Sequence, residues 1–171
     1  MSITILKHDK LHVAGIEPES VVDGEGIRMT IFFQGCSHHC KGCQNPGTWN
    51  PDKPVREMTA EEIIEEYKKN PLLSGITLPG GEPFEQDFEA LHYLCFWFHE
   101  FFPDDDIWCY TGYTLKELEG NNLLGEIDYL VDGPFILEER DLSLTFRGSR
   151  NQKIWKRENF AFRDVTKEFD R

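Results

Sequence analysis

A chain of 171 residues, 39% hydrophobic and 13% aromatic, is long enough to bury one substantial core, and a single domain is expected over 1–171. Its net charge of −13 excludes nonspecific nucleic-acid binding, which needs a cationic surface to displace counterions. There is no run of about 18 apolar residues and no basic-plus-apolar leader, and three of the five cysteines are bunched together. The sequence therefore predicts a cytoplasmic protein of a reducing compartment, neither exported nor membrane-spanning.

Ile3, Ile5, Leu11, Val13 and Ile16 alternate with polar positions and predict a short β-hairpin over 1–16. The core domain is expected over 17–146. Val22-Asp23-Gly24-Glu25-Gly26 is a turn; it fails as a dinucleotide fingerprint because it precedes a strand and lacks the third glycine. A core strand is predicted at 28–33, ending at Gln34-Gly35 directly before the cysteines, and 45–54 with its three prolines is a loop. Thr59 and Glu62 form a capping box that opens a helix burying Ile63, Ile64 and Tyr67 and stopping before Pro71.

A short strand at 75–78 runs into Pro79-Gly80-Gly81-Glu82-Pro83. A longer helix is predicted next from Phe84, Phe88, Leu91, Cys95, Phe98 and Phe102, spaced at three to four residues, with Phe96 and Trp97 also assigned to the core. The strand at 107–110 leads into Thr111-Gly112-Tyr113, and Thr114 with Glu117 predicts a second capped, short helix. A strand at 127–131 ends at Asp132-Gly133-Pro134. The tail, 147–171, holds a last strand near Ile154 and Trp155. It carries eight Lys/Arg against four Asp/Glu, a net of +4 that leaves −17 on the first 146 residues. Such asymmetry marks a solvated surface or a basic docking arm.

The alternation of strand and helix predicts an α/β fold with a mostly parallel sheet and right-handed crossovers. The unusual residues fall at one place in that scheme. The cysteine loop, Gly80-Gly81-Glu82, Thr111-Gly112 and Asp132-Gly133 each follow the carboxyl end of a strand, the edge on which α/β active sites gather.

Cys36-Ser37-His38-His39-Cys40-Lys41-Gly42-Cys43 places three thiols in eight residues with the spacing Cys-x3-Cys-x2-Cys and no fourth cysteine nearby. Thiolates so close on one loop suit a metal centre better than a disulfide framework. Three cysteines on a four-iron cluster leave one iron open, as a catalytic centre requires; structural zinc with His38 or His39 as fourth ligand is the alternative. Gly80-Gly81 offers backbone for close approach, and Glu82 an acceptor for an ammonium group.

The triplet followed by Gly-Gly-Glu-Pro resembles the radical S-adenosylmethionine superfamily. Val22 through Arg28, Phe33-Gln34-Gly35-Cys36 and Asn45 through Trp49 resemble its glycyl-radical-enzyme activases. Thr111-Gly112-Tyr113-Thr114, Val131 through Phe135 and Arg147 through Gln152 are similar to those acting on anaerobic ribonucleoside-triphosphate reductase. The resemblance covers roughly 14 to 155.

It implies a partial, open β/α barrel and a radical enzyme. Cys36, Cys40 and Cys43 would hold a [4Fe–4S] cluster whose fourth iron is chelated by S-adenosylmethionine, with Gly80, Gly81 and Glu82 securing the amino group. Reductive cleavage would yield a 5′-deoxyadenosyl radical that takes a glycine hydrogen from the reductase large subunit, the electron coming from a donor such as flavodoxin. Many members place an aromatic residue before the third cysteine; this chain has Gly42, so Gly42 and Gln44 are cofactor-loop candidates through their backbone. Resemblance to pyruvate formate-lyase activase implies a cation site near the cofactor carboxylate, and Thr111 and Asp132 fall at the matching places. Activation of another glycyl radical enzyme of that type, or small-molecule radical chemistry, are the alternative functions.

Overall fold

The computed structural model describes residues 10–170. Its framework is one eight-stranded sheet in the order β3-β1-β2-β4-β5-β6-β7-β8. The four central strands are β2 (Arg28–Phe33), β4 (Gly75–Gly80), β5 (Asp106–Tyr110) and β6 (Tyr129–Asp132). They pair in parallel, as the strand–helix alternation requires. Antiparallel strands flank them: β1 (Lys10–Ser20) and β3 (Arg56–Thr59) on one side, β7 (Lys153–Glu158) and β8 (Ala161–Asp164) on the other. The sheet is therefore mixed, with its parallel part at the centre.

Helix α1 (Ala60–Lys68) starts as its sequence dictates. The Thr59 side chain accepts from the Glu62 amide, and the Glu62 carboxylate accepts from the Thr59 amide. Its buried side is Ala60, Ile63, Ile64 and Tyr67, and each large apolar group there contributes about 1.5–3 kcal/mol of burial. Helix α2 (Phe88–Phe101) begins later than expected. Pro83–Glu85 forms a 3-10 turn, Gln86 is extended, and Asp87 caps the helix by accepting from the Ala90 amide. Leu91, Cys95 and Phe98 are buried as predicted, but Phe88 and Phe96 are each 41% exposed and are not core. An aromatic-rich helix gives a period-3.6 match on more than one face, and the deepest face here is Ala90, Leu91, Leu94, Cys95 and Phe98.

Three other expectations change. The capping box at Thr114 forms, with both reciprocal bonds present, but no helix follows. The chain closes into turns through Gly120 at φ +86 and a 3-10 segment, Asn122–Glu126. The hairpin expected over 1–16 lies partly outside the described residues; from Lys10 the chain is one long strand pairing with both β2 and β3. The tail holds two strands and a short helix, α3 (Thr166–Phe169).

Successive residues of the central strands alternate between two cores. Met29, Ile31, Ile76, Leu78, Ile107 and Cys109 pack against α1 and α2. Trp108, Val131 and Ile154 pack on the opposite face with Phe169 of α3. Because β2, β4, β5 and β6 run the same way, their carboxyl ends share one edge, and the loops carrying the unusual residues emerge together there.

Candidate functional site

The cysteine loop leaves β2 through a tightly tied anchor. The Gly35 amide donates to the Thr48 carbonyl at 2.7 Å and the Cys36 amide to the Trp49 carbonyl at 3.1 Å. The buried Gln34 side chain donates to the carbonyls of Gly47 and Asn50 at 3.0 and 2.7 Å. The proline-rich loop is thus fastened beneath the first cysteine. Farther along, the Cys43 amide donates to the Cys40 carbonyl at 3.0 Å, Gly42 turns at φ +77 beside Leu137, and the Asn45 amide donates to the Cys43 sulfur at 3.3 Å.

The Gly-Gly-Glu-Pro turn comes against this anchor by backbone. The Glu82 amide donates to the Gly35 carbonyl at 2.8 Å. Gly81, at φ +63, lies so close that a Cβ would stand 2.5 Å from the Phe33 carbonyl oxygen, so no side chain fits there.

Glu82 is the node of the site, with 1% of its surface exposed. One carboxylate oxygen accepts from the Thr111 hydroxyl at 2.8 Å and the Phe84 amide at 3.0 Å. The other accepts from the Gly112 amide at 2.9 Å and meets His38 Nε2 at 2.7 Å. Three of the rim segments therefore converge on one carboxylate. Burying a charge is tolerable only with such a complete set of donors. The hydrogen bond to Glu82 raises the His38 imidazole above its ordinary pKa, against its partial burial.

A second carboxylate, Glu85, repeats the connection nearer solvent. It accepts from the amide and the hydroxyl of Ser37 and from the Tyr113 hydroxyl. Burial acts to raise Glu85, but these donors outweigh it and hold the group below its ordinary value. Sequence reasoning missed Glu85, Ser37, His38 as a Glu82 partner, and Tyr113. The only available signal was the placement of a second acid three residues after Glu82, and it names no partner.

Cys36, Cys40 and Cys43 are partly buried free thiols; Cys95 on α2 and Cys109 on β5 are fully buried. Burial, then the carboxylates of Glu82 and Glu85, push the Cys36 thiol up to about 11, against the His38 backbone amide that lowers it. Cys36 lines a cavity of about 620 Å³ with Gln34, His39, Trp49 and Glu85. Gln44 is exposed and lines a different cavity of about 860 Å³, bordered by β1. Asp132 is buried on the rim, where its carboxylate accepts from the Leu115 amide at 2.7 Å. Thus Gly80, Gly81, Glu82, Thr111 and the cysteine loop are brought together, while Gln44 and the Asp132 carboxylate stand outside the Glu82 network.

The donor chemistry fits an iron–sulfur cluster. Three soft sulfur donors share one loop, and an amide donates to one sulfur, an interaction that would stabilise charge on a cluster ligand. Each of the two histidines that could serve as the single fourth ligand of a Cys3His zinc site has another partner, His38 on Glu82 and His39 stacked on Trp49 at 4.7 Å.

Comparison with known proteins agrees. Residues 22–155 match the family model described as a 4Fe-4S single cluster domain. The chain is 41% identical over 143 residues to the anaerobic ribonucleoside-triphosphate reductase-activating protein of Haemophilus influenzae and 42% identical over 143 residues to that of Vibrio cholerae. Each alignment spans 80% of this chain and 92% of the relative. Against the protein of that name from Enterobacteria phage T4, identity is 34% over 145 residues, 82% of this chain and 90% of the relative. Among solved structures, that of QueE from Escherichia coli superposes with a TM-score of 0.44 at 16% identity, covering 61% of this chain and 54% of that one, too slight a likeness to carry weight. The chain belongs to the family of anaerobic ribonucleoside-triphosphate reductase-activating proteins, built on a 4Fe-4S single-cluster domain.

Proposed function

We propose that this protein is a radical S-adenosylmethionine enzyme that activates an anaerobic ribonucleoside-triphosphate reductase by installing a glycyl radical on its large subunit. The observation that carries this reading is the seating of a three-cysteine loop against the Gly80-Gly81-Glu82 turn, joined through His38 and Glu82. Cys36, Cys40 and Cys43 would hold a [4Fe–4S] cluster and leave it open to S-adenosylmethionine. Bound together, the two supply one-electron cleavage of a carbon–sulfur bond and the radical that abstracts the glycine hydrogen.

The remaining work falls to the protein's own residues. Gly80 and Gly81 admit the methionyl end close to the backbone, and Glu82 accepts its ammonium. Gly42 and Gln44 contribute backbone on the loop's far side, and Thr111 and Asp132 border the carboxylate end. Glu85 and Ser37 hold the first cysteine's loop against the rim. We read the sheet as a partial, open barrel whose uncovered side admits a peptide loop of the reductase. A one-electron donor such as flavodoxin would supply the electron, and the reaction would take place in the cytoplasm. No helix among the described residues is long and apolar enough to cross a membrane.

The test is anaerobic reconstitution with iron and sulfide, followed by incubation with the reductase, S-adenosylmethionine and a reductant. A glycyl radical doublet in the electron paramagnetic resonance spectrum is expected. A loaded cluster that cleaves the cofactor but leaves the reductase without a radical would sink the proposal.

A further inference from the structure

A carboxylate offers about four lone-pair positions to donors, and on Glu82 four donors are already in place. Three belong to the framework: the Phe84 and Gly112 amides and the buried Thr111 hydroxyl. The fourth, His38 Nε2, comes from a side chain on the cysteine loop, and that side chain remains 17% exposed while Glu82 is 1% exposed. An ammonium group can reach Glu82 only by taking a place already filled, and His38 holds the one place not built into the backbone or the buried core.

We propose that His38 is a placeholder on Glu82, displaced when the amino group of the incoming cofactor binds, and so a positioning residue that sets the cofactor's affinity. The inference rests on the reading of Glu82 as the ammonium acceptor. While His38 occupies the carboxylate, the buried charge stays satisfied and the loop stays fastened to the rim. Binding must break that contact, so the apparent affinity is lowered by the fraction of molecules in which the place is free. The ring has little lateral room. It lies edge-to-face against Tyr113 at 4.5 Å, and a Cβ on Gly112 would stand 2.5 Å from its Cδ2.

Calorimetry of S-adenosylmethionine binding to the anaerobically reconstituted protein tests this. His38→Ala removes the competitor and is expected to tighten binding about tenfold, the scale of one hydrogen bond to a charged group. His38→Gln keeps an N–H donor and is expected to restore wild-type affinity. Gly112→Ala retains the imidazole but pushes it off its seat, and should tighten binding as His38→Ala does. Binding of 5′-methylthioadenosine, which lacks the methionyl α-amino group, should be the same for all four proteins. Unchanged or weaker S-adenosylmethionine binding by His38→Ala and Gly112→Ala, with normal iron content, overturns the placeholder role while leaving the proposed function standing. If the wild-type protein itself fails to bind S-adenosylmethionine, the cofactor reading falls and this inference with it.

Discussion

Ser37 and Glu85 stand 48 positions apart in the chain and meet twice, the Ser37 amide donating to one carboxylate oxygen at 2.8 Å and its hydroxyl to the other. The residue after the first cysteine is thereby fixed to the turn that follows β4, and Tyr113 joins the same carboxylate from beyond β5 at 2.8 Å. Three loops that share only a sheet edge become one assembly.

Glu85→Ala should loosen that assembly. The contacts are close to solvent, so the expected loss is about 1–2 kcal/mol of unfolding free energy, at the low end for hydrogen bonds to a charged group. The sharper effect is on the cluster: iron retained after desalting should fall while the secondary structure persists. The folded pKa of Glu85 lies below its unfolded value, so the stabilisation is present above the ordinary carboxylate range and is lost as pH drops through the folded value. Wild type and Glu85→Ala should therefore converge in stability in acid. Parallel stability curves down to pH 3 would show that the carboxylate does not clamp the loop.

The cysteines divide by position. Replacing Cys36, Cys40 or Cys43 with Ala should abolish the visible absorption of the reconstituted protein. Cys95 and Cys109 are 0% exposed and lie in the core between the sheet and its helices, so Ser at either buries a hydroxyl at a cost of about 1–3 kcal/mol but should leave iron per folded chain unchanged. A cluster that needs Cys95 or Cys109 would defeat the three-cysteine assignment.

Arg28 tests the opposite edge of the sheet. Fully buried at the start of β2, it donates to Thr77 Oγ1 at 2.7 Å and to the carbonyls of Glu25, Ile76 and Asp106 at 2.8–2.9 Å, and it pairs with the Asp106 carboxylate at 2.7 Å. Arg28→Met removes all of these and leaves the Asp106 carboxylate without its cation, which should cost about 3–5 kcal/mol. Arg28→Lys should recover little, because an ammonium cannot reproduce the planar fork. Urea denaturation measures both; a midpoint near wild type would mean the guanidinium does not hold these strands together.

The elements that could be read from sequence are those whose information is local. The strand at 28–33 appears as expected because its apolar run is continuous in sequence, and the Thr59–Glu62 box because its hydrogen bonds close within a few residues. The convergence of four loops was also legible, since parallel strands put all their carboxyl ends on one edge. What joins the loops was not legible: Glu82 meets Thr111, Gly112 and His38 across 29, 30 and 44 positions. Local signals also fail when tertiary packing overrules them. Thr114 and Glu117 exchange their capping bonds, yet Gly120 and the following turns leave no helix for them to cap. β8 went unseen because its four residues, Ala161–Asp164, are largely solvent-facing and carry no apolar alternation of their own.

The tail is where charge and architecture must be separated. Arg147 is only 9% exposed; it donates to the Gln152 carbonyl at 3.0 Å and pairs with Asp170, tying the loop before β7 to the segment after α3. Arg147→Ala should therefore lower thermal stability and, through it, every activity together. Lys153 and Lys156 differ. Lys153 lies 3.8 Å from Asp164 with more than half its side chain exposed, and it passes over the Trp155 ring at 5.4 Å; Lys156 passes over the Tyr129 ring at 5.7 Å. Exposed contacts of this kind contribute about 0–1 kcal/mol each, so reversing the charges should barely unfold the protein. Their field nevertheless reaches about 8 Å into solvent at physiological ionic strength, far enough to steer an acidic partner surface. Lys153→Glu combined with Lys156→Glu should slow glycyl-radical formation on the reductase, most strongly at low salt, while cleavage of S-adenosylmethionine without the reductase continues at the wild-type rate. If both activities drop along with the melting temperature, the two lysines serve the sheet; if neither changes, the reductase docks on another face.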